Sequence, residues 1–227
     1  MNRSLRLLVV ALTFAAAVTL CGAGNAAAQG PVAQNCMAFL ATPGLPDVSM
    51  FLAPDGTGSP FSNCFQRGGN QVTAQIIVTL LDASFMPVPN WPASNVRLEH
   101  SLSPLIWCPN MFYPPPNHAP NLADGPTNAA GQATFTMSYH GGGWVVAPTF
   151  VWVLEASGNW AQIPVPLNVS YNSGDINGDL VINLVDVGIF AAIFYGSYHY
   201  KADFNFDHLV NLIDVAKLAA VYGASCP

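Results

Sequence analysis

The chain has 227 residues, of which 52% are hydrophobic and 8% are charged. Six Lys and Arg residues against twelve Asp and Glu residues give a formal net charge of -6, which makes nucleic acid and anionic membrane surfaces poor partners. Nineteen Gly and nineteen Pro residues with so little charge are typical of a β-rich extracellular protein rather than a helical enzyme.

The N-terminus has the pattern of a secretory signal peptide. Arg3 and Arg6 precede an apolar run over residues 7–20, and Ala26-Ala27-Ala28 offers a small-residue cleavage site before Gln29. We therefore expect residues 1–28 to be removed and the mature chain to be secreted or held at the cell surface. The alternative, lipid attachment at Cys21, is disfavoured because Leu20 stands where a small residue is normally needed. No later apolar run reaches the roughly 20 residues that span a bilayer.

Four cysteines follow the predicted leader: Cys36, Cys64, Cys108 and Cys226. An even number in an exported protein predicts two disulfides, for which three connectivities are possible. Cys64 lies before a predicted strand and Cys108 follows the expected hairpin partner of that strand. We therefore favour the pairs Cys64–Cys108 and Cys36–Cys226.

Residues 29–172 show alternating apolar and polar side chains broken by turn residues. Apolar residues alternate with polar ones from Val72 to Leu80 and from Ala133 to Tyr139, as expected for half-buried antiparallel strands. Further strands are predicted at residues 48–52, 96–102, 150–155 and 167–170. Short strands with frequent turns predict an immunoglobulin-like β-sandwich, in which alternation places Trp152 in the core.

Two segments of this region resemble bacterial immunoglobulin-like repeats of the invasin and intimin kind. They are Ile76-Ile77-Val78-Thr79-Leu80-Leu81-Asp82-Ala83 with Pro87-Val88-Pro89, and Thr127-Asn128-Ala129-Ala130-Gly131-Gln132-Ala133-Thr134-Phe135. In the second segment we expect a turn with a positive φ at Gly131. A generic sandwich unrelated to those adhesins is the alternative.

Two segments near the C-terminus share the spacing of a 12-residue calcium loop. Residues 175–186 carry oxygen-bearing side chains at the first, third, fifth, ninth and twelfth places, and residues 203–214 repeat this pattern 28 positions later. Such loops supply the several oxygen ligands that calcium takes, the seventh place giving its backbone carbonyl. Six of the twelve acidic residues lie here, and they would repel one another without a cation. An Asp- and Asn-rich turn repeat that binds nothing is the alternative.

A helical run follows each loop, over residues 184–195 and 212–222. At the offset of 28 the two units share nine identities across the 20 positions from Asp175 to Phe194. The paired units resemble the type I dockerin module, whose EF-hand-like halves lack the entering helix. The resemblance covers residues 173–227 and implies docking to a cohesin or another extracellular protein domain, as in cell-surface or polysaccharide-degrading assemblies.

The dockerin resemblance also implies the ligands of two calcium ions. They are Asp175, Asn177, Asp179, Val181 through its carbonyl, Asn183 through water and Asp186 in the first loop, and Asp203, Asn205, Asp207, Leu209 through its carbonyl, Asn211 and Asp214 in the second. The chain departs from the pattern at the sixth place, where Leu180 and His208 replace Gly. A left-handed conformation at these residues costs about 1 kcal/mol each, so we expect weaker binding than in a standard dockerin.

Dockerins often carry small hydroxyl residues just before the last acid of each loop. Here the chain has Leu184-Val185 and Leu212-Ile213. Either the partner surface is apolar, or these residues close a core between the helices of a calcium-stabilised structural protein that has no cohesin partner.

We do not expect an enzyme. The acids outside the loops are Asp47, Asp55, Asp82, Glu99, Asp124 and Glu155, and no two lie close enough in sequence to suggest the facing carboxylates of a glycosidase. Carbohydrate binding, as an accessory protein of polysaccharide catabolism, is an alternative because five tryptophans could include a sugar-stacking platform. They are Trp91, Trp107, Trp144, Trp152 and Trp160, although most are expected to fill the core.

Overall fold

The computed structural model describes residues 29–45, 47–100, 104–108 and 121–227. The predicted leader and Cys21 lie outside these ranges. The described chain is mainly β, with a small helical part at its C-terminal end. The strands are β1 Met37–Leu40, β2 Val48–Leu52, β3 Cys64–Gln66, β4 Gln71–Val72, β5 Ile76–Thr79, β6 Val96–His100, β7 Ile106–Trp107, β8 Gln132–Phe135, β9 Gly141–Gly142, β10 Trp144–Val145, β11 Thr149–Leu154, β12 Trp160–Gln162 and β13 Val169–Ser173. The helices are α1 Leu184–Phe194 and α2 Leu212–Val221, and no helix in the described ranges is long and apolar enough to cross a membrane.

The strands form four sheets. Their orders are β1-β5-β8, β10-β13-β2-β3-β4, β12-β11-β6 and β7-β9. Neighbouring strands are antiparallel except for β13 and β2, which run parallel over five residue pairs. Side chains from the three larger sheets pack into one buried cluster that includes Phe61, Phe135 and Tyr171.

Strands are present at all the predicted places, with differences at their ends. β2 matches the predicted range, β11 begins and ends one residue earlier than predicted, and β13 covers residues 169–173 instead of 167–170. β6 begins at Val96 as predicted, and residues 101–102 of its predicted range lie outside the described residues. The alternating run from Val72 to Leu80 divides into β4 and β5, and the run from Ala133 ends at Phe135. It ends there because the backbone N–H and the hydroxyl of Thr136 both bond to the Asp124 carboxylate. Gly131 has a φ of 70°, as the predicted turn requires.

The expectation that most of the tryptophans fill the core is wrong, because only Trp107 of the five is buried and the other four are half-buried. Val151 and Val153 of β11 point into the core, so Trp152 between them lies half-buried on the opposite, outer face of the sheet. Trp107, by contrast, is buried against Tyr139 and Tyr171. The alternation gave the correct period for this strand but the wrong face.

The predicted disulfide pairs are also wrong. The structure joins Cys108 to Cys226, and Cys36 and Cys64 are buried free thiols. Cys226 reaches Cys108 because the C-terminal segment runs along the first loop, where Val181 pairs with Ser225. Burial raises the pKa of the Cys64 thiol to about 12, which makes that thiol unreactive.

The helical part packs directly on the five-stranded sheet. The first loop begins two residues after β13 ends at Ser173, without a linker. Phe204 of the second loop lies 5.0 Å from the Phe51 ring of β2, and both belong to a second buried cluster with residues of α1 and α2. Lys217 of α2 places its ammonium 4.2 Å from the centre of the Phe65 ring. The sheet therefore buries one side of the loop-helix pair.

Candidate metal centre

Both helices begin where a capping box closes the end of a loop. Asn183 accepts a hydrogen bond from the N–H of Val185 at 2.7 Å, and Asp186 accepts one from the N–H of Asn183 at 2.9 Å. The second unit repeats this arrangement with Asn211 and Asp214, at the same two distances. The ninth and twelfth places of each loop thus also fix the start of a helix, a role that the sequence analysis missed.

The carboxylate of the first acid in each loop accepts several backbone hydrogen bonds. Asp175 accepts hydrogen bonds from the N–H groups of Gly178, Asp179 and Leu180 at 2.7 to 3.1 Å. Asp203 accepts from the N–H groups of Asp207 and His208, and also from the hydroxyl of Tyr198 at 2.8 Å. These bonds curl each loop around its first carboxylate.

The backbone of both loops is left-handed where glycine was expected. Leu180 and His208 have φ values of 69° and 67°, which bears out the expected conformation at the sixth place. The fourth place is left-handed as well, with Gly178 at 75° in the first loop and Phe206 at 57° in the second. Burial of the Phe206 ring against Tyr200, 5.7 Å away between ring centres, helps to offset this cost.

Three carboxylates of the first loop converge. Asp175, Asp179 and Asp186 each offer an oxygen within 4.8 Å of the others, and both Asp175 and Asp186 are fully buried. This acidic group could hold a metal ion. Asn177 bonds to Asp179 at the exposed rim of the loop, through its side-chain amide at 2.9 Å.

The second loop offers a different indication of a cation. Its acids do not form a comparable three-carboxylate group among the described residues. Asn205, however, is 5% exposed and its side-chain oxygen Oδ1 is buried without a hydrogen-bond partner. An acceptor left unpaired in the interior is costly, and a bound cation would satisfy it.

Burial raises the pKa of three acids in the loops. Desolvation raises the pKa of Asp175 to about 6, backbone hydrogen bonds oppose this, and the nearby Asp186 charge adds to it. The pKa of Asp214 is likewise raised to about 6, and that of Asp203 is raised, in both cases mainly by burial. A bound cation would reverse these effects by compensating the carboxylate charges.

The other predicted ligands lie along the same loops. The side chains of Val181 and Leu209 are exposed, which suits residues expected to contribute only a carbonyl. Two contacts to Asp203 come from residues outside the loops that were not predicted. The hydroxyl of Tyr198 donates to its carboxylate, and the side-chain amide of Asn172 donates to its backbone carbonyl at 2.6 Å. No motif marks either residue.

Comparison with family models, with curated proteins and with solved structures gives no match to this chain. Its function is accordingly inferred from its residues and their geometry.

Proposed function

We propose that this protein is a secreted, non-catalytic calcium-binding protein whose dockerin-like module docks it to a cohesin or another extracellular protein domain. The module comprises residues 173–227 and follows an immunoglobulin-like β-sandwich over residues 29–172. The observation that carries the proposal is a pair of large apolar side chains exposed at the start of each helix. Assembly at a cell surface or in a polysaccharide-degrading complex follows from the dockerin resemblance.

Calcium is the ion that suits the donors of both loops. All the side-chain donors are carboxylate or amide oxygens, which a hard cation prefers, and no Cys or His is among them. Each loop would hold one ion through the ligands that the sequence predicts. When bound, the ion would offset the repulsion between buried carboxylates and contribute its binding energy to folding.

The exposed pairs occupy equivalent places in the two repeats. Leu184 and Val185 are 73% and 56% exposed, and Leu212 and Ile213 are 75% and 53% exposed. A structural module without a partner would bury these side chains between its helices or against the sheet. The sheet instead contacts the module through Phe51, which packs in the second buried cluster with Phe204. Apolar surface repeated in this way favours a protein partner.

The acids outside the loops have structural contacts, which supports a non-catalytic protein. Two belong to ion pairs with arginine, and the others accept hydrogen bonds within turns, from β8 or from the backbone of Ala33 near the start of the described chain. They are Asp47, Asp55, Asp82, Glu99, Asp124 and Glu155. A disulfide in the fold fits an oxidising compartment.

The double variant Leu184→Asp/Leu212→Asp tests the docking surface. We expect it to lose calcium-dependent binding to purified cohesin domains and to partners in the native secretome. Its melting temperature should stay close to that of the wild type, because exposed substitutions change stability by only about 0.5 kcal/mol. Calcium-dependent retention on immobilised protein, repeated with chelator, is the measurement.

Met137→Asp provides the matched control, since Met137 is 61% exposed but lies in the β part, residues 29–172. This control should bind like the wild type. If the double variant folds and keeps every calcium-dependent partner, the docking surface has been placed incorrectly. If the wild type has no partner, the calcium-stabilised structural protein is the better interpretation.

A second candidate function, carbohydrate binding, is favoured by the outer face of the β12-β11-β6 sheet. Phe150 and Trp152 of β11 line a shallow groove of about 230 Å³ together with Arg97, Glu99 and Gln162. The Arg97 guanidinium lies 4.0 Å above the ring of the neighbouring Trp160. Aromatic rings beside planar polar groups suit the apolar faces and hydroxyls of a sugar.

Trp152→Ala tests this second candidate in native gels cast with soluble glucans or xylan. Retarded migration of the wild type and its loss in Trp152→Ala are expected, because the variant removes the aromatic ring at the centre of the face. Phe85→Ala is the control, since Phe85 is an exposed aromatic residue in the turn that follows β5. Equal migration of the wild type with and without every polysaccharide would exclude sugar binding to those polymers.

A further inference from the structure

Each of the two loops rests against a glycine turn of the β part. The first loop meets residues 141–143, in and just after β9, and the second meets residues 68–69, between β3 and β4. The two segments are far apart in sequence, and β9 belongs to a different sheet from β3 and β4. Neither contributes a side chain, so neither would be recognised as part of a metal site.

At the first loop, Gly142 leaves room for a predicted ligand. A Cβ atom added to Gly142 would overlap Oδ2 of Asp175 and would lie 2.7 Å from its Cγ. The next residue, Gly143, donates its N–H to the Asp175 carbonyl at 2.6 Å. The Asp175 carboxylate can therefore occupy its place only because residue 142 has no side chain, while the Gly143 N–H fixes the backbone of Asp175.

At the second loop, the contact is similar but looser. Gly68 donates its N–H to the Phe206 carbonyl at 2.9 Å. A Cβ atom on Gly69 would lie 2.9 Å from Cβ of Asp207, whereas one on Gly68 would meet nothing within 4 Å. Both glycines have positive φ values, 96° and 79°. The missing side chain of Gly69 thus leaves room for Asp207, whereas residue 68 has space for a methyl group and contacts the loop through its N–H alone.

We propose that Gly142 and Gly69 are positioning residues for the two calcium sites, each acting on one loop. The inference rests on the proposed calcium binding. Because both glycine segments lie outside the module, the strand region forms part of the surface on which the two loops pack. Calcium in each loop and the packing of that loop on the β part then stabilise each other.

The test is calorimetric titration of the mature protein with calcium. Gly142→Ala is expected to weaken one of two sites by about tenfold or more, the size typical of lost outer-shell support, and to leave the other unchanged. Gly188→Ala is the control. Gly188 is only two residues from the ligand Asp186, yet an added Cβ there meets nothing within 4 Å. This control should keep both sites.

Combined variants distinguish positioning from a general loss of structure. Gly142→Ala added to Asp175→Ala should change calcium binding no further, because both act on the first site. Added to Asp203→Ala, it should leave no tight site. Equal losses in both backgrounds would indicate damage to the whole module and overturn the inference.

The second turn gives an independent test should Gly142→Ala fail to fold. Gly69→Ala should weaken the second site alone, while Gly68→Ala, also at a positive φ but without a clash, should bind normally. Wild-type protein that binds no calcium would refute the proposed function itself. Wild type with two sites, and unchanged affinities in Gly142→Ala or in Gly69→Ala, would refute the positioning role of that glycine and keep the calcium proposal.

Discussion

Removal of calcium is expected to lower the free energy of unfolding by about 2.7 kcal/mol for each site. This value applies when the free calcium concentration is about one hundred times the dissociation constant of the site. The physical reason is that fully buried carboxylates, such as Asp175 and Asp186, are then left without a compensating charge. Asp175→Ala and Asp203→Ala should each remove one ion, and the double variant both. Thermal melting with calcium and with chelator, together with titration calorimetry, provides the measurement.

Asp47→Ala is the charge-matched control for these variants. This variant also removes one negative charge, but the Asp47 carboxylate forms an exposed ion pair with Arg67, outside residues 173–227. This variant should bind two ions and retain the full effect of chelation. Mature protein that shows no heat of calcium binding, and the same melting temperature with chelator, would contradict the calcium proposal.

Loss of the disulfide is expected to lower the free energy of unfolding by about 2 to 5 kcal/mol in the double variant Cys108→Ala/Cys226→Ala. The two cysteines are 118 residues apart, so the bond restricts a long loop of the unfolded chain. It also ties the C-terminal segment beside the first loop to the β part. Denaturant titration of the variant and of the wild type measures the loss.

Cys36→Ala is the control for the disulfide, because Cys36 is buried but unpaired. This variant should keep its sensitivity to reducing agent, whereas the double variant should lose it. In denaturant, the mature wild type should show two reactive thiols before reduction and four after it. Four reactive thiols without reduction, or none, would contradict the observed pairing.

Local features of this protein were predictable from its sequence. The helices begin at Leu184 and Leu212 because Asn and Asp three residues apart form a capping box, which needs no contact from elsewhere. The left-handed conformation of Leu180 and His208 follows from the loop spacing in the same way. The alternating strands were recognisable because their period of two reports local burial.

The tertiary structure decided everything that depends on the path of the chain. It paired Cys108 with Cys226, set β13 parallel to β2, turned Trp152 to the outer face and brought Gly142 against Asp175. Each of these contacts joins residues far apart in sequence or depends on which face of a strand meets the core. Composition, period and loop spacing describe neighbouring residues, so they carry no information about which distant segments the folded chain brings together.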